Sequence, residues 1–145
     1  MRITAYSDYS LRLLMYVGLS DDRLCTIAEV ASAYGISRAH IMKVANELAR
    51  AGYIEAVRGR NGGMRLAKPA DVIRVGEVLR LTETDFDMVP CFEAASLCII
   101  TPECALKAAI GKATQAFLET LDRYTLQDLL AKGGGLRKAL SIPAP

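Results

Sequence analysis

Three of the four cysteines, Cys91, Cys98 and Cys104, are separated by six and five residues in a stretch that also holds Pro90 and Pro102. Thiolates bind zinc and iron–sulfur clusters, and they exchange disulfides. The spacing is too open for a rigid Cys-x-x-Cys knuckle, which argues against a zinc ribbon. It suits an iron–sulfur cluster whose ligands converge from a loop, with one position left for another ligand. On spacing alone, buried apolar cysteines and a thiol–disulfide switch stay open as well. Cys25 stands apart, beside a helical pattern, and reads as a core residue.

The second chemical group is basic. Between residues 37 and 68, Arg38, Lys43, Arg50, Arg58, Arg60, Arg65 and Lys68 face only Glu47 and Glu55. Residues 1–80 carry 12 Lys and Arg against 8 Asp and Glu, whereas residues 81–145 carry 6 against 8. Such a segment fits contact with a phosphate backbone, and charge alone leaves a solvated face as the alternative. An enzyme is not expected. One histidine leaves no triad, and no glycine-rich phosphate loop follows a strand.

The elements that must position these residues follow from local patterns. Leu11, Leu14, Met15 and Gly18 predict a helix over 8–19 with Ser7 as its cap, broken at Asp21-Asp22. Thr26 and Glu29 form a capping box for a second helix that ends at Gly35. Ser37 caps a third, whose apolar stripe is Ile41, Val44, Ala45 and Leu48 and which Gly52 closes. A tight turn between two short helices is a helix-turn-helix signature. Two short strands, 53–57 and 64–66, flank Arg58-Gly59-Arg60-Asn61-Gly62-Gly63, which reads as a wing.

On such a frame the third helix enters the major groove. Ser37, Arg38, His40 and Lys43 then lie nearest the DNA, with Arg38 suited to guanine and Lys43 to phosphate. His40 reads first as a base or phosphate contact, then as a helix-surface residue, and last as a metal ligand. Arg58 and Arg60 suit the minor groove. Ile73–Leu81 predicts a further helix, 82–104 reads largely as loop, and Leu106, Ile110, Ala113, Phe117 and Leu121 mark a long amphipathic helix. Thr125–Leu130 reads as a short extra turn.

The expected fold is mainly α, a winged helix-turn-helix with a two-stranded wing and a long C-terminal dimerisation helix. Its divisions are a DNA-binding domain over 1–81, a cysteine loop and dimerisation helix over 82–131, and a flexible tail over 132–145. At 145 residues and 52% hydrophobic, the chain can bury a core, and a homodimer is expected to cover the rest. No signal peptide or membrane-length apolar run is visible, so a cytoplasmic protein with no membrane partner is expected. A reducing compartment favours metal or redox chemistry at the cysteines over structural disulfides.

Several motifs together resemble the winged-helix iron–sulfur repressors, a family with NsrR, RirA and IscR branches. They are Met1-Arg2-Ile3-Thr4 with Tyr6-x-Asp8-Tyr9, the wing Val57-Arg58-Gly59-Arg60-Asn61-Gly62-Gly63, and three cysteines before a long helix. The resemblance covers about residues 1–131. Ile100-Thr101-Pro102-Glu103-Cys104-x-Leu106-Lys107 and Phe117-Leu118-x-x-Leu121-Asp122-x-Tyr124-Thr125-Leu126-x-Asp128-Leu129 look most like the nitric-oxide-sensing NsrR branch.

The likeness implies a repressor of nitric-oxide detoxification genes that binds double-stranded operator DNA, with nitric oxide as effector. It implies a [4Fe–4S] cluster, with [2Fe–2S] as the alternative, on Cys91, Cys98, Cys104 and Asp8 of the partner subunit. IscR-type proteins carry a histidine shortly after the third cysteine, where this chain has Lys107. Cys91-Phe92-Glu93 and the Asn-Gly-Gly wing are also similar to RirA, so an iron-responsive repressor is the runner-up. A cluster-free thiol redox-switch regulator is the third reading.

Overall fold

The computed structural model describes residues 2–20, 23–92 and 98–143. Met1, the Asp21-Asp22 break, Glu93 and the last two residues of the tail lie outside the described residues.

Helix α1 (Ala5–Leu19) begins after Thr4, whose side chain accepts the Ser7 N–H at 3.2 Å. Ser7, the expected cap, lies inside the first turn instead. It is fully buried, and its hydroxyl accepts a hydrogen bond from Thr82 at 2.8 Å. A cap has to precede the turn in extended backbone, and Thr4 does so at φ −66°, ψ 155°.

Helix α2 (Ile27–Tyr34) opens with the Thr26–Glu29 capping box and stops at Gly35, whose φ of 64° suits glycine. Helix α3 (Arg38–Arg50) is capped by the Ser37 side chain, which accepts the His40 N–H at 3.3 Å. The wing pairs β1 (Ile54–Val57) with β2 (Gly63–Leu66) antiparallel, Ile54 opposite Leu66 and Val57 opposite Gly63. Gly59, at φ 118°, makes the turn. Cys25 and Met64 exchange backbone hydrogen bonds of 3.1 and 2.7 Å, which ties the wing to the start of α2.

The core lies between α1 and α3. Leu13, Leu14 and Val17 meet Val30, Ile41, Val44 and Leu48, with Ile54, Met64, Ile73, Val78 and Leu126 closing the cluster. Each such large side chain removed from water contributes about 1.5–3 kcal/mol before entropy is charged. Helix α4 (Val75–Thr82) starts two residues later than its apolar pattern predicts, because Ile73 stays extended and pairs its carbonyl with the Leu126 N–H at 2.7 Å.

The long helix α5 (Ala105–Asp122) is held at its far end. Arg80 forks onto the Asp122 carboxylate at 2.6 and 2.8 Å, and Arg74 donates to the Asp122 carbonyl at 2.8 Å. Gly76 lies under that carboxylate, where a Cβ has no room. Of the α5 side chains only Leu118 is buried, so most of the stripe is not covered by its own chain. The short turn at 125–130 is α6 (Leu126–Leu129), opened by a Thr125–Asp128 capping box.

The tail departs from expectation. Residues Gly133–Ala139 form α7, and beyond it Ile142 is buried while Leu136 and Leu140 pack on the core. Three consecutive glycines read as fraying, but the apolar residues after them dock the segment against α1, and tertiary packing overrides propensity. The rest is the expected mainly helical winged helix-turn-helix with a two-stranded wing.

Candidate functional site

Helix α3 presents Arg38, Ala39, His40, Met42, Lys43 and Asn46 to solvent, while Ile41, Val44, Ala45 and Leu48 hold it to the core. The Ser37 hydroxyl is engaged as the cap. Two of the exposed residues also touch α1. The His40 ring lies beside Tyr9 with centroids 6.0 Å apart, and Lys43 Nζ lies 5.6 Å from the Tyr6 ring centre.

Ion pairing sorts the basic residues further. Arg50 pairs with Glu47 and Arg65 with Glu55, at 3.3 and 2.9 Å. Lys68 Nζ rests 3.8 Å over the Tyr53 ring. Among the described residues, Arg38, Arg58 and Arg60 form no ion pair, and all three are exposed, the last two on the wing. That leaves a basic surface on α3 and on the wing, as nucleic-acid contact requires. Met42 and Asn46 were missed by the basic-residue reasoning. Their four-residue steps from Arg38 place all three along the groove between α3 and the wing, where a thioether and an amide suit a thymine methyl and adenine.

The cysteines divide as the spacing implies. Cys25 is fully buried, donates to the Met64 carbonyl at 3.5 Å, and burial pushes its thiol up to about 11. Cys91 lies half-buried in the short 3-10 turn Pro90–Phe92, and Cys98 is exposed. Cys104 is half-buried at the start of α5, where its sulfur accepts the Lys107 N–H at 3.4 Å. A helix N-terminus favours negative charge, so this position suits a thiolate. Asp8 lies in the first turn of α1 and pairs with Arg12 at 2.9 Å, with Arg12 in turn 5.6 Å from the Tyr34 ring centre. Among the described residues, no three His, Cys, Asp or Glu side chains gather closely enough to hold a metal ion. One chain therefore does not bring Asp8 and the cysteines together.

Residues 3–132 match the sequence profile of Rrf2, described as an iron-dependent transcriptional regulator. The chain belongs to the Rrf2 family. This Rrf2 chain is 46% identical over 143 residues to the HTH-type transcriptional regulator NsrR of Bacillus licheniformis, covering 97% of this chain and all of that one. It is NsrR-like along its whole length. Its fold is similar to CymR, the global cysteine regulator of B. subtilis, at a TM-score of 0.73 and 22% identity, covering 91% of this chain and 98% of that one. T. potens IscR gives 0.73 and 22% over 91% and 88%, and the oxidised form of Staphylococcus aureus CymR gives 0.74 and 25% over 90% and 97%. The Rrf2 chain is thus a DNA-binding winged-helix transcription regulator. No described helix is long and apolar enough to cross a membrane.

Proposed function

We propose that this NsrR-like regulator is a cytoplasmic homodimeric repressor that responds to nitric oxide through an iron–sulfur cluster. The observation that carries the reading is the placement of Cys91, Cys98 and Cys104 along the segment that runs into α5, in a chain so similar to NsrR. The donor set fits the group: Cys91 and Cys104 are half-buried, Cys98 is exposed, and Cys104 has a backbone donor at its sulfur. These three residues hold the cluster, a [4Fe–4S] centre in this proposal, and Asp8 of the partner subunit completes the ligand set. When bound, the cluster supplies the iron at which nitric oxide reacts.

The chain's own residues connect that site to DNA. Helix α1, which carries Asp8, packs on α3 through Tyr6 with Lys43 and Tyr9 with His40. Ligation across the dimer ties the 91–104 segment of one protomer to the other's α1. It sets the two α3 helices about one DNA turn apart, roughly 34 Å. Losing a ligand frees α1, and the two reading heads lose register. A difference of a few kcal/mol between the states clears an operator. Ser37, Arg38, His40 and Lys43 meet the major groove, joined by Met42 and Asn46, while Arg58 and Arg60 meet the minor groove or its phosphates.

The exposed stripe on α5 supports the dimer. Leu106, Ala109, Ala113 and Ala116 recur at steps of three and four, and all four are exposed. The test uses anaerobically purified protein, with iron per chain, absorbance and operator binding followed through a nitric-oxide titration. About four irons per cluster, bleached as DNA is released, is the expected result. Iron that ignores nitric oxide but is lost to a chelator favours the iron-responsive reading, and absence of iron leaves the thiol switch. Cys98→Ala is expected to give a folded dimer without the cluster, and tight, unaltered operator binding by it would sink the scheme.

A further inference from the structure

Thr101 Oγ1 is shut away from solvent and has no hydrogen-bond partner among the described residues. Buried hydroxyls are nearly always paired, because desolvating one without a partner is costly. The position of this orphan is informative. The Thr101 N–H donates to the Cys98 carbonyl at 3.2 Å, and the Cys104 N–H donates to the Thr101 carbonyl at 3.4 Å. Between them the Glu103 N–H donates to the Ile100 carbonyl at 3.1 Å.

All three bonds span three residues, the spacing at which side chains of a 3-10 turn eclipse one another. Cys98, Thr101 and Cys104 are therefore brought to one side of the segment, with the hydroxyl placed between two sulfurs. The Cys104 sulfur already accepts one backbone N–H at 3.4 Å. A second donor of the same kind is what an unpaired hydroxyl at this address supplies.

We propose that the Thr101 hydroxyl donates a hydrogen bond to a sulfur of the iron–sulfur site on its Cys98–Cys104 side, and so tunes the reduction potential of the cluster. The inference rests on the cluster reading above. A donor to sulfur stabilises the reduced, more negative form and raises the potential. Removing it shifts the ratio of reduced to oxidised cluster about tenfold at a fixed potential, about 59 mV for one electron.

The experiment compares full-length wild type, Thr101→Val and Thr101→Ser, purified anaerobically. It measures iron per chain, the midpoint potential by optical redox titration, the Fe–S stretching frequencies, and the melting temperature of the apo proteins. The valine variant is expected to load iron and titrate about 59 mV lower, with Fe–S stretches moved upward. The serine variant should stay near wild type. Iron lost from the valine variant and retained by the serine variant supports the same role for the hydroxyl.

In the apo state the valine variant should melt at or above wild type, since it deletes an unpaired buried hydroxyl. A clear drop there means that the hydroxyl is paired within the protein, which overturns the proposal. A valine variant with unchanged potential and Fe–S stretches, in iron-loaded protein, overturns this inference alone. Iron-free wild type overturns it together with the cluster reading.

Discussion

Arg60 and Arg65 are five residues apart on one wing and carry equal charge, yet their surroundings give them different work. Arg65 places Nε and Nη2 each 2.9 Å from a Glu55 oxygen across the β1–β2 pair, so its charge is largely answered within the protein. Arg60, exposed at the turn, forms no ion pair among the described residues and is available to phosphate. Arg60→Ala is expected to weaken operator binding and to flatten the log–log salt dependence by about 1. Arg65→Ala should change that slope much less, and anisotropy titrations at several salt concentrations separate the two. Equal slopes would mean that the Glu55 pair opens on DNA. Cys25 gives a second contrast. With its thiol pushed up to about 11 and its side chain fully buried, it should resist alkylation in the native apo protein while Cys91, Cys98 and Cys104 react. A thiol that holds its proton more tightly when folded stabilises the fold below its ordinary pKa. That contribution fades as pH climbs toward about 11. Mass spectrometry that finds Cys25 labelled as fast as the others would show the core open at the wing.

Among the elements, α7 is the one whose role rests wholly on packing. Its glycines give it little propensity, so the burial of Ile142 and the half-buried Leu136 and Leu140 must hold it. Ile142→Ala is expected to cost about 2 kcal/mol or more, read as a lower denaturant midpoint at unchanged slope. No loss would return the segment to the frayed tail that Gly133-Gly134-Gly135 implies. The contrast shows which parts of the fold are legible in the sequence. Capping is written in three or four adjacent residues, so Thr26 with Glu29, Gly35 and Ser37 are readable directly, and the glycines of the wing announce its turn. Ser7 is misread as a cap because its real partner, Thr82, is 75 residues away. Met42 and Asn46 go unnoticed for a related reason. The outward direction of α3 depends on which of its faces the core takes, and Arg38, Lys43 and His40 attract attention by type alone. The cysteines are legible as ligands by type and order, whereas their convergence depends on contacts that one chain does not supply.

At the scale of the whole molecule, charge and apolar surface are segregated. The positive excess lies in residues 1–80, with the recognition helix and wing, while residues 81–145 are net negative and carry the uncovered apolar stripe. Ile99 and Ile100, 94% and 60% exposed, extend that apolar surface to the cysteine segment itself. A chain that is balanced overall thus presents one end suited to DNA and another suited to a copy of itself. In the proposed dimer the two functions are linked, because Asp8 of the partner subunit completes each cluster. Ala113→Glu tests that linkage. Ala113 is exposed in the single chain, so the glutamate should leave each protomer folded, with a melting temperature near wild type for the apo protein. In the dimer it would place a like-charged pair against an apolar interface, where an unpaired buried charge is not tolerated. Sedimentation should then show monomer. Operator affinity should fall about 100-fold or more, since binding of the second head is no longer intramolecular. Iron retention should weaken in parallel through loss of the fourth ligand. A monomer that kept its full iron content would place the fourth ligand within one chain and remove Asp8 of the partner subunit from the site, while a dimer that tolerated the glutamate would move the interface off this face of α5.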